Sequence, residues 1–455
     1  MGVRILPSPL AVQWVSLRAT FDASRIRYKQ KMEKTTAEPG DYVQVHLMQE
    51  IYEGTFLEAP ESEKGIILLK LDTGYNIGFN RKEVLKIKVL KKFKQQNEKI
   101  EIEKSREKPH IAMIITGGTI SSRLDPKSGA VSWLTSPEQL FKFYPGIFKY
   151  VNVDKVEVPF MKASEEMTPK DWQKIAKTAE KLLNDENIKG IIITHGTDTL
   201  HFTGAVLSFF LRNLSKPVVL TYSQRSSDRG SSDAKLNLES AAITAISDIA
   251  EVVLVGHGST NDEYCYVLRG TKVRKLHSSR RDTFKPVNTK PLAKIEDNTF
   301  HKISDYNICS KEKTKTKLDA KYEEKVALVK FYPGQDPGIL DYYVKNGYKG
   351  IVIEVLGLGH VDKKWTKKIK EVVKKGVIVC AAPQTIFGKL DPYVYSTGRE
   401  LMETGIIYLG DMLSETALVK LGWVLGHSEW TKNKEKVKEK MLENVAHEFS
   451  DRLES

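Results

Sequence analysis

Two short apolar runs constrain this 455-residue chain more than any other feature: Ile111–Ile120 (IAMIITGGTI) and Ile191–Thr199 (IIITHGTDT). Each is β-branched, lacks the alternation of a half-exposed strand, and breaks off in small and hydroxyl residues. Such runs read as parallel strands buried on both faces. In an open α/β sheet, parallel strands deliver the residues beyond their carboxyl ends to the crevice where ligands bind. Here those are Thr116-Gly117-Gly118-Thr119 after the first run and His195-Gly196-Thr197-Asp198-Thr199 after the second. The glycines let the backbone turn sharply and approach a ligand closely. The threonines and the aspartate add a possible nucleophile, a polarising hydroxyl and an acid–base partner. A TGGT turn alone is an ordinary strand-to-helix connection. Both motifs in one chain point to a site.

The same alternation continues downstream. Strands are predicted at Ile111–Ile115, Gly190–Thr194, Val218–Tyr222, Val252–Gly256, Val326–Phe331, Ile351–Val355, Val377–Ala381 and Ile406–Leu409. Helical periodicity is clearest at Pro169–Asn184, Asp198–Arg212, Asp233–Ile249, Asp362–Lys375 and Ser414–Leu425. Strands alternating with helices imply a largely parallel sheet covered on both faces. The span is too long for one sheet, and Asn288–Glu324, poor in apolar periodicity, is where it divides. Two domains are expected, at 109–310 and 325–430, joined by a linker at 311–324. The tail, 431–455, keeps apolar residues at Val437, Met441, Leu442, Val445, Phe449 and Leu453, the pattern of a docked amphipathic helix.

Ahead of these lies a different kind of sequence. GDYVQVHL, IYEGTFLEA, GIILLKLDTGYNIGF and VLKIKVL, within Gly40–Leu90, give four or five short strands punctuated by glycine turns. They fit a small SH3-like all-β domain, taken as 39–92. Residues 93–108 (FKQQNEKIEIEKSREK) form a charged linker. Residues 1–38 read as a disordered extension. Arg4 followed by ILPSPLAVQWVSL imitates a secretory signal, but two prolines and a glutamine interrupt it and no small-residue cleavage site comes after it. Met32 reads as the natural start.

Composition limits the function classes. With 40% apolar and 28% charged residues, the chain is ordinary for a soluble protein. No run reaches the roughly 18 apolar residues that a membrane helix requires. Three single cysteines, Cys265, Cys309 and Cys380, favour a reducing, cytoplasmic setting and argue against structural zinc. The net charge of +13 suits a polyanionic partner. Its densest stretch, Lys363–Lys375, puts Trp365, Ile369, Val372 and Val373 on one helical face, so its seven lysines read first as a solvated back.

TGGTI and HGTDT at this separation resemble the asparaginase/glutaminase family of amide hydrolases, and the resemblance runs over about Ile111–His427. Ser164 and Glu165, in KASEEM, stand where that family holds the substrate's α-carboxylate and α-amino groups. Lys275, in LRGTKVRKLHSS, aligns with the family's catalytic lysine. The resemblance implies Thr119 as nucleophile, Thr197, Asp198 and Lys275 as its activating group, and Gly118 and Gly196 beside the substrate. The fold class it implies is α/β: a two-domain asparaginase-like parallel-sheet hydrolase behind the small SH3-like domain. Physically, a threonine hydroxyl needs a neighbouring base, a lysine can serve only if its environment releases its proton, and backbone N–H groups of a glycine turn can hold an oxyanion. Taken by itself, Lys275 sits among Lys272, Arg274, Arg280 and Arg281, a composition equally at home on a surface.

There is one departure. Related enzymes carry a tyrosine on the mobile loop after the first threonine; Arg123–Gly129 has none, and Tyr144 lies too far along to replace it. His195 and His201 in HGTDTLH do not form HExxH, so no metal is expected. SSDRGSSDAKLNLES (226–240) lacks GxxxxGK[ST] and is expected to line the site and cap the helix from Asp233.

The front module followed by this hydrolase is similar to the D-subunit family of the archaeal-type glutamyl-tRNA(Gln) amidotransferase, as is DMLSETALVKLGWVLGH (Asp411–His427). That resemblance implies hydrolysis of glutamine or asparagine to supply ammonia, no cofactor in this chain, and a tRNA-binding E-type partner subunit that uses ATP and Mg²⁺. It implies a homodimer within a heterotetramer, with tRNA held mainly by the partner and no membrane. Two alternatives stand: a free-standing cytoplasmic L-asparaginase, and a non-enzymatic nucleic-acid-binding protein on a hydrolase scaffold.

Overall fold

The computed structural model describes residues 37–59, 65–73, 75–92, 107–124, 131–133, 140–141, 144–226, 231–309 and 314–454. Most of the expected extension and charged linker, and residues 125–129 of the expected mobile loop, lie outside them. The chain divides into two compact units. One takes in the front of the chain with residues from 122–134 and 226–232; the other holds the rest from Ile102 onward.

In the first unit, β1 (Tyr42–His46), β2 (Ile51–Leu57), β3 (Ile66–Lys70), β4 (Asn76–Asn80) and β5 (Lys86–Lys91) form an antiparallel sheet in the order β4-β3-β2-β1-β5. The period-2 pattern of YVQVH turns Val43 and Val45 into a small core with Ile67, Leu69, Phe79 and Val84, while Tyr42, Gln44 and His46 stay partly exposed. The all-β front module is therefore an antiparallel sheet of five strands.

In the second unit, β6 (His110–Ile115) leads to a 3₁₀ turn at Thr119–Ser121. The chain then enters an antiparallel pair, β7 (Ser122–Leu124) with β8 (Val131–Trp133), which belongs to the first unit. Back in the second unit come β9 (Asn152–Glu157), α1 (Pro169–Leu183), β10 (Ile188–Thr194), α2 (Leu200–Phe210), β11 (Leu211–Arg212), β12 (Val218–Thr221), α3 (Ala234–Ala245) and β13 (Val252–His257). The order β9-β6-β10-β12-β13 is parallel throughout. Ile191, Ile192 and Ile193 are fully buried, as a strand covered on both faces requires. Helix α1 starts on a capping box, Thr168 with Asp171, that satisfies its first free N–H groups.

The sheet is mixed rather than purely parallel. Beyond β13 it gains three antiparallel strands, β14 (Tyr264–Arg269), β17 (Ala293–Glu296) and β18 (Thr299–Lys302). Between them β15 (Val273–Lys275) pairs with β16 (Phe284–Pro286). Strands β17 and β18 take up the start of the Asn288–Glu324 stretch, so the first sheet runs on to Lys302 and the second begins at Val326. They are four residues each; β18 is the edge strand and largely exposed, while β17, paired on both sides, alternates buried and half-buried over too few residues to stand out.

After β19 (Lys317–Leu318), which pairs with β11, a second parallel sheet appears in the order β20-β21-β22-β23. Its strands are β20 (Val326–Lys330), β21 (Gly350–Val355), β22 (Ile378–Pro383) and β23 (Ile407–Tyr408), joined through α4 (Ile339–Lys345), α5 (Lys363–Lys374) and α6 (Ser396–Met402). In α5, Trp365, Ile369 and Val372 are buried and the lysines face outward. Helix α7 (Ser414–Leu425) packs on α2 and on β21, with Trp423 stacked 5.6 Å from Phe209, so one core joins the two sheets.

The expected helix over 431–455 is also corrected. Short helices α8 (Ser428–Thr431) and α9 (Lys434–Leu442) end by Leu442. Glu448 then folds back to accept from the backbone N–H groups of Val445 and Ala446, and His447 takes φ +58°, which no helix accommodates. Val437 and Met441 supply the apolar face; Val445 and Phe449 pack against the core from a non-helical tail.

Candidate active site

Strands β6 and β10 run side by side with Thr194 opposite Ile115, so their carboxyl ends are level and the two motifs emerge together. The turns then touch. A Cβ on Gly118 (φ +80°) would lie 2.4 Å from the Gly196 nitrogen, and one on Gly196 would lie 2.8 Å from the Ser164 Cβ and Oγ. Only glycine allows either approach. Because Gly118 precedes Thr119 and Gly196 precedes Thr197, the two threonines flank one backbone contact. Thr116 Oγ1 donates to the Thr194 carbonyl at 2.8 Å, and Thr199 Oγ1 donates to the Ser164 carbonyl at 2.7 Å. KASEEM is thereby tied to HGTDT.

Lys275 arrives from β15. Its amine donates to Thr197 Oγ1 at 2.8 Å and to Asp198 Oδ1 at 2.7 Å. Thr197 is buried, whereas the Asp198 side chain is 65% exposed and can face a ligand arriving from solvent. Thr119 is half-buried at the start of its 3₁₀ turn; Ser164 is buried and Glu165 exposed. The structure thus joins Gly118, Gly196, Ser164, Thr197, Asp198 and Lys275 through named contacts and places Thr119 and Glu165 next to them in the chain. An amine between a hydroxyl and a carboxylate is the arrangement that can shuttle a proton to or from that hydroxyl.

A chain of hydrogen bonds supports this floor from beneath. Trp172 Nε1 donates to Thr203 Oγ1 at 3.1 Å, and Thr203 Oγ1 lies 2.8 Å from His195 Nε2. His195 Nδ1 lies 2.7 Å from the Gly196 carbonyl, which only accepts, so the proton sits on Nδ1 and Thr203 donates to Nε2. Burial, the largest influence, lowers the His195 pKa to about 4. His201 is lowered to about 3, first by burial and then by the charges of Arg274 and Lys275. Both are neutral supports, and among the described residues no three His, Cys, Asp or Glu side chains are grouped to hold a metal.

Two neighbouring residues play roles other than those expected. Lys272 is no part of a solvated basic run: it is 1% exposed and its amine lies 2.5 Å from Asp411. Asp233 does not cap its own helix; its carboxylate accepts from the Gln224 and Arg225 N–H groups at 2.9–3.0 Å and ties the preceding loop down. Residues 227–230 of that loop lie outside the described ones. Tyr144 is buried ahead of a 3₁₀ turn at Pro145–Lys149. Nothing in the sequence singles out Thr203, Trp172, Arg274 or Glu415. A Lys inside the apolar ALVKLGWVL was the one visible sign that charge is buried nearby.

This fold and site define a class. Residues 110–306 match the family described as asparaginase, N-terminal, and residues 325–441 the glutaminase/asparaginase C-terminal domain. The thermostable L-asparaginase from Thermococcus kodakarensis superimposes with a TM-score of 0.67 at 28% identity, over 75% of this chain and 99% of that one. L-asparaginase I from Vibrio cholerae does so at 0.64 and 26%, over 75% and 99%. Residues 37–90 match the GatD N-terminal domain. The D subunit of glutamyl-tRNA(Gln) amidotransferase from Pyrococcus furiosus is 45% identical over 93% of this chain and 98% of its own length. Its counterpart from Thermococcus kodakarensis is 46% identical over 88% and 90%. The chain belongs to this amidotransferase D-subunit family, on the asparaginase scaffold. Among the described residues no helix is long and apolar enough to cross a membrane.

Proposed function

We propose that the chain hydrolyses the side-chain amide of glutamine, or of asparagine, and supplies the ammonia for converting Glu-tRNA(Gln) to Gln-tRNA(Gln). The observation that carries the reading is the Lys275 amine between Thr197 Oγ1 and Asp198 Oδ1, directly beside the Gly118–Gly196 contact. Thr119 attacks the amide carbon. The C–N bond breaks, ammonia leaves with a proton, and water hydrolyses the resulting ester to free the carboxylate and restore the hydroxyl. Lys275, oriented by Asp198, moves protons through Thr197: it relays the Thr119 hydroxyl proton to the departing nitrogen as the C–N bond breaks, and takes a proton from the water that hydrolyses the ester and returns it to Thr119. Ser164, Glu165 and Asp198 hold the charged ends of the amino acid, and Gly118 and Gly196 let it approach the backbone. No cofactor is required here. A tRNA-binding partner subunit uses ATP and Mg²⁺ to activate the glutamyl group, two copies of each subunit assemble through a homodimer of this chain, and the complex works in the cytoplasm. The relatives, named as one component of a multi-subunit amidotransferase, and the front module at 37–90 support this over a free-standing L-asparaginase.

The test is ammonia release by the chain alone, with its partner, and with partner plus glutamylated tRNA. A gated subunit releases ammonia faster once its loaded partner binds, and a coupling of this kind corresponds to roughly 5- to 150-fold in the coupled affinity. Equal rates in all three mixtures identify a self-sufficient asparaginase. Undetectable amide hydrolysis throughout, with nucleic-acid binding retained, identifies a binding protein on a hydrolase scaffold.

A further inference from the structure

The segment that delivers Lys275 is held almost residue by residue from the C-terminal half of the chain. The Thr271 carbonyl accepts from Thr416 Oγ1 at 2.9 Å, and Thr271 Oγ1 donates to the Ala446 carbonyl at 2.9 Å. The Lys272 amine is paired with Asp411. Arg274 Nη2 lies 2.9 Å from Glu415 Oε1, and Glu415 is 7% exposed at the first turn of α7. The same Glu415 oxygen lies 3.9 Å from His201 Nε2, on the helix that comes after Thr197 and Asp198. One buried carboxylate therefore pairs with the segment that carries Lys275 and lies beside the helix that follows Thr197 and Asp198.

Geometry explains why that matters. Strand β15 is three residues long and pairs on one side with the equally short β16. One backbone bond continues the ladder at each end, Val287 N–H to the Lys272 carbonyl and Leu276 N–H to the Thr283 carbonyl, both 2.8 Å, so the hairpin keeps its own shape while side chains fix its place against α7. A long lysine can reach Thr197 and Asp198 from several backbone positions, but only some place its amine between them.

We propose that Glu415 is a positioning residue for Lys275: by gripping Arg274 against the C-terminal domain it sets the β15 backbone so that the amine falls between Thr197 and Asp198. The inference rests on the role given to Lys275 under the proposed function. Misplacing a reacting group by about 1 Å costs up to roughly 100-fold in rate, so loss of the grip shows in kcat and not in substrate binding.

The experiment measures ammonia release from glutamine by the full-length chain and its variants, with kcat, KM and thermal midpoint for each. Glu415→Gln keeps the volume and removes the charge. Arg274→Ala breaks the same pair from its half-exposed side and keeps the test open if the first variant folds poorly. Expected for both is a kcat about 10- to 100-fold lower with KM within about twofold, and no additional loss in the double variant, since the two act as one unit. Glu415→Asp recovers part of the rate. The proposal is overturned if kcat per folded molecule is unchanged while the midpoint falls, the behaviour of a purely structural pair. Lys275→Ala separates this from the parent reading. If that variant keeps full turnover, the role of Lys275 fails and the positioning role with it. If it is inactive while the Glu415 and Arg274 variants keep kcat, the positioning role alone fails.

Discussion

The two sheets of the second unit share a parallel core and are finished differently. In both, central strands are buried on both faces: Ile191, Ile192 and Ile193 in the first, Ile351, Val352 and Ile353 in the second. After β6 and β10 the first sheet ends in glycine turns that press backbone on backbone and leave threonine hydroxyls at the contact. After β23 the second ends in Asp411, Glu415 and Lys420, all buried and ion-paired. Two of those carboxylates face the segment carrying Lys275, and Lys420 faces the tail. A buried parallel strand is a generic support. The residues beyond its carboxyl end decide whether it carries chemistry or holds the chemistry of a neighbour in place.

The largest expected effect tests the first half of that contrast. Lys275→Met keeps the stem of the side chain and removes the amine, so ammonia release falls by about 10²- to 10⁴-fold, the usual worth of a positioned acid–base group. Thr119→Val and Thr197→Val, each nearly volume-conserving, assign the nucleophile. The one that abolishes single-turnover acylation carries it, and far-UV and near-UV circular dichroism should match wild type in both.

The second half predicts a loss of stability. Lys420 and Glu448 are both fully buried, their charged atoms 2.5 Å apart, and Lys420 also donates to the Met441 carbonyl at 2.9 Å. Removing one partner leaves an uncompensated buried charge, so Glu448→Ala costs about 3–5 kcal/mol in chemical denaturation. Replacing both by apolar residues of similar volume costs less than the single change, because the remaining charge goes too, and leaves the loss of the backbone bonds to Val445, Ala446 and Met441. A double variant as unstable as the single one would mean that the tail is held by something other than this pair.

How far the sequence reveals each sheet depends on the same distinction. Buried strands and amphipathic helices were legible because burial writes a period into the chain: β6, β10, α1 and α7 stand within two residues of their expected bounds. The hydroxyl motifs were legible because glycine and threonine are an unusual way to end such a strand. Strands β14, β17 and β18 were not, since edge or antiparallel strands of four to six residues mix polar and apolar side chains. Glu415, Arg274 and Lys272 were illegible for another reason. A charged residue looks solvated until its partner, here 139 residues away for Lys272 and Asp411, is folded onto it.

Glycine substitutions sharpen the contrast at a smaller scale. Gly118 and Gly376 both have positive φ, +80° and +94°, but a Cβ on Gly118 meets the Gly196 backbone while one on Gly376 meets nothing within 4 Å. Gly376→Ala, at the end of α5, therefore costs only the strain of an L-residue in that conformation, about 1–2 kcal/mol. Gly118→Ala adds a clash between two backbones and costs more than about 4 kcal/mol or rearranges the site. Equal thermal midpoints for the two variants would show that the turns are not pressed together as described.

The most gradual effect concerns acid. His195 and His201 lie buried beneath the first sheet's site and are held neutral, with pKa values of about 4 and about 3 against an ordinary 6.5. Both are lowered in the folded protein, so between the folded and the ordinary value the unfolded chain binds more protons and stability falls as pH falls. Each adds a slope of about 1.4 kcal/mol per pH unit below the ordinary histidine value. The stabilising contribution is fully present above roughly pH 7 and is lost on the way to pH 4 for His195 and pH 3 for His201. His201 is the better probe, because His195 is bonded to both Gly196 and Thr203 and its replacement would disturb the turn. His201→Phe keeps an aromatic ring beside Phe202 and Phe284 and cannot take up a proton. Urea denaturation of the variant between about pH 7 and about pH 4.5 should show a shallower acid slope than wild type, by up to about 1.4 kcal/mol per pH unit. An unchanged slope would mean that His201 is already protonated in the native state. A charged imidazole would then face Glu415, compete with Arg274 for it, and loosen the grip on the strand that carries Lys275.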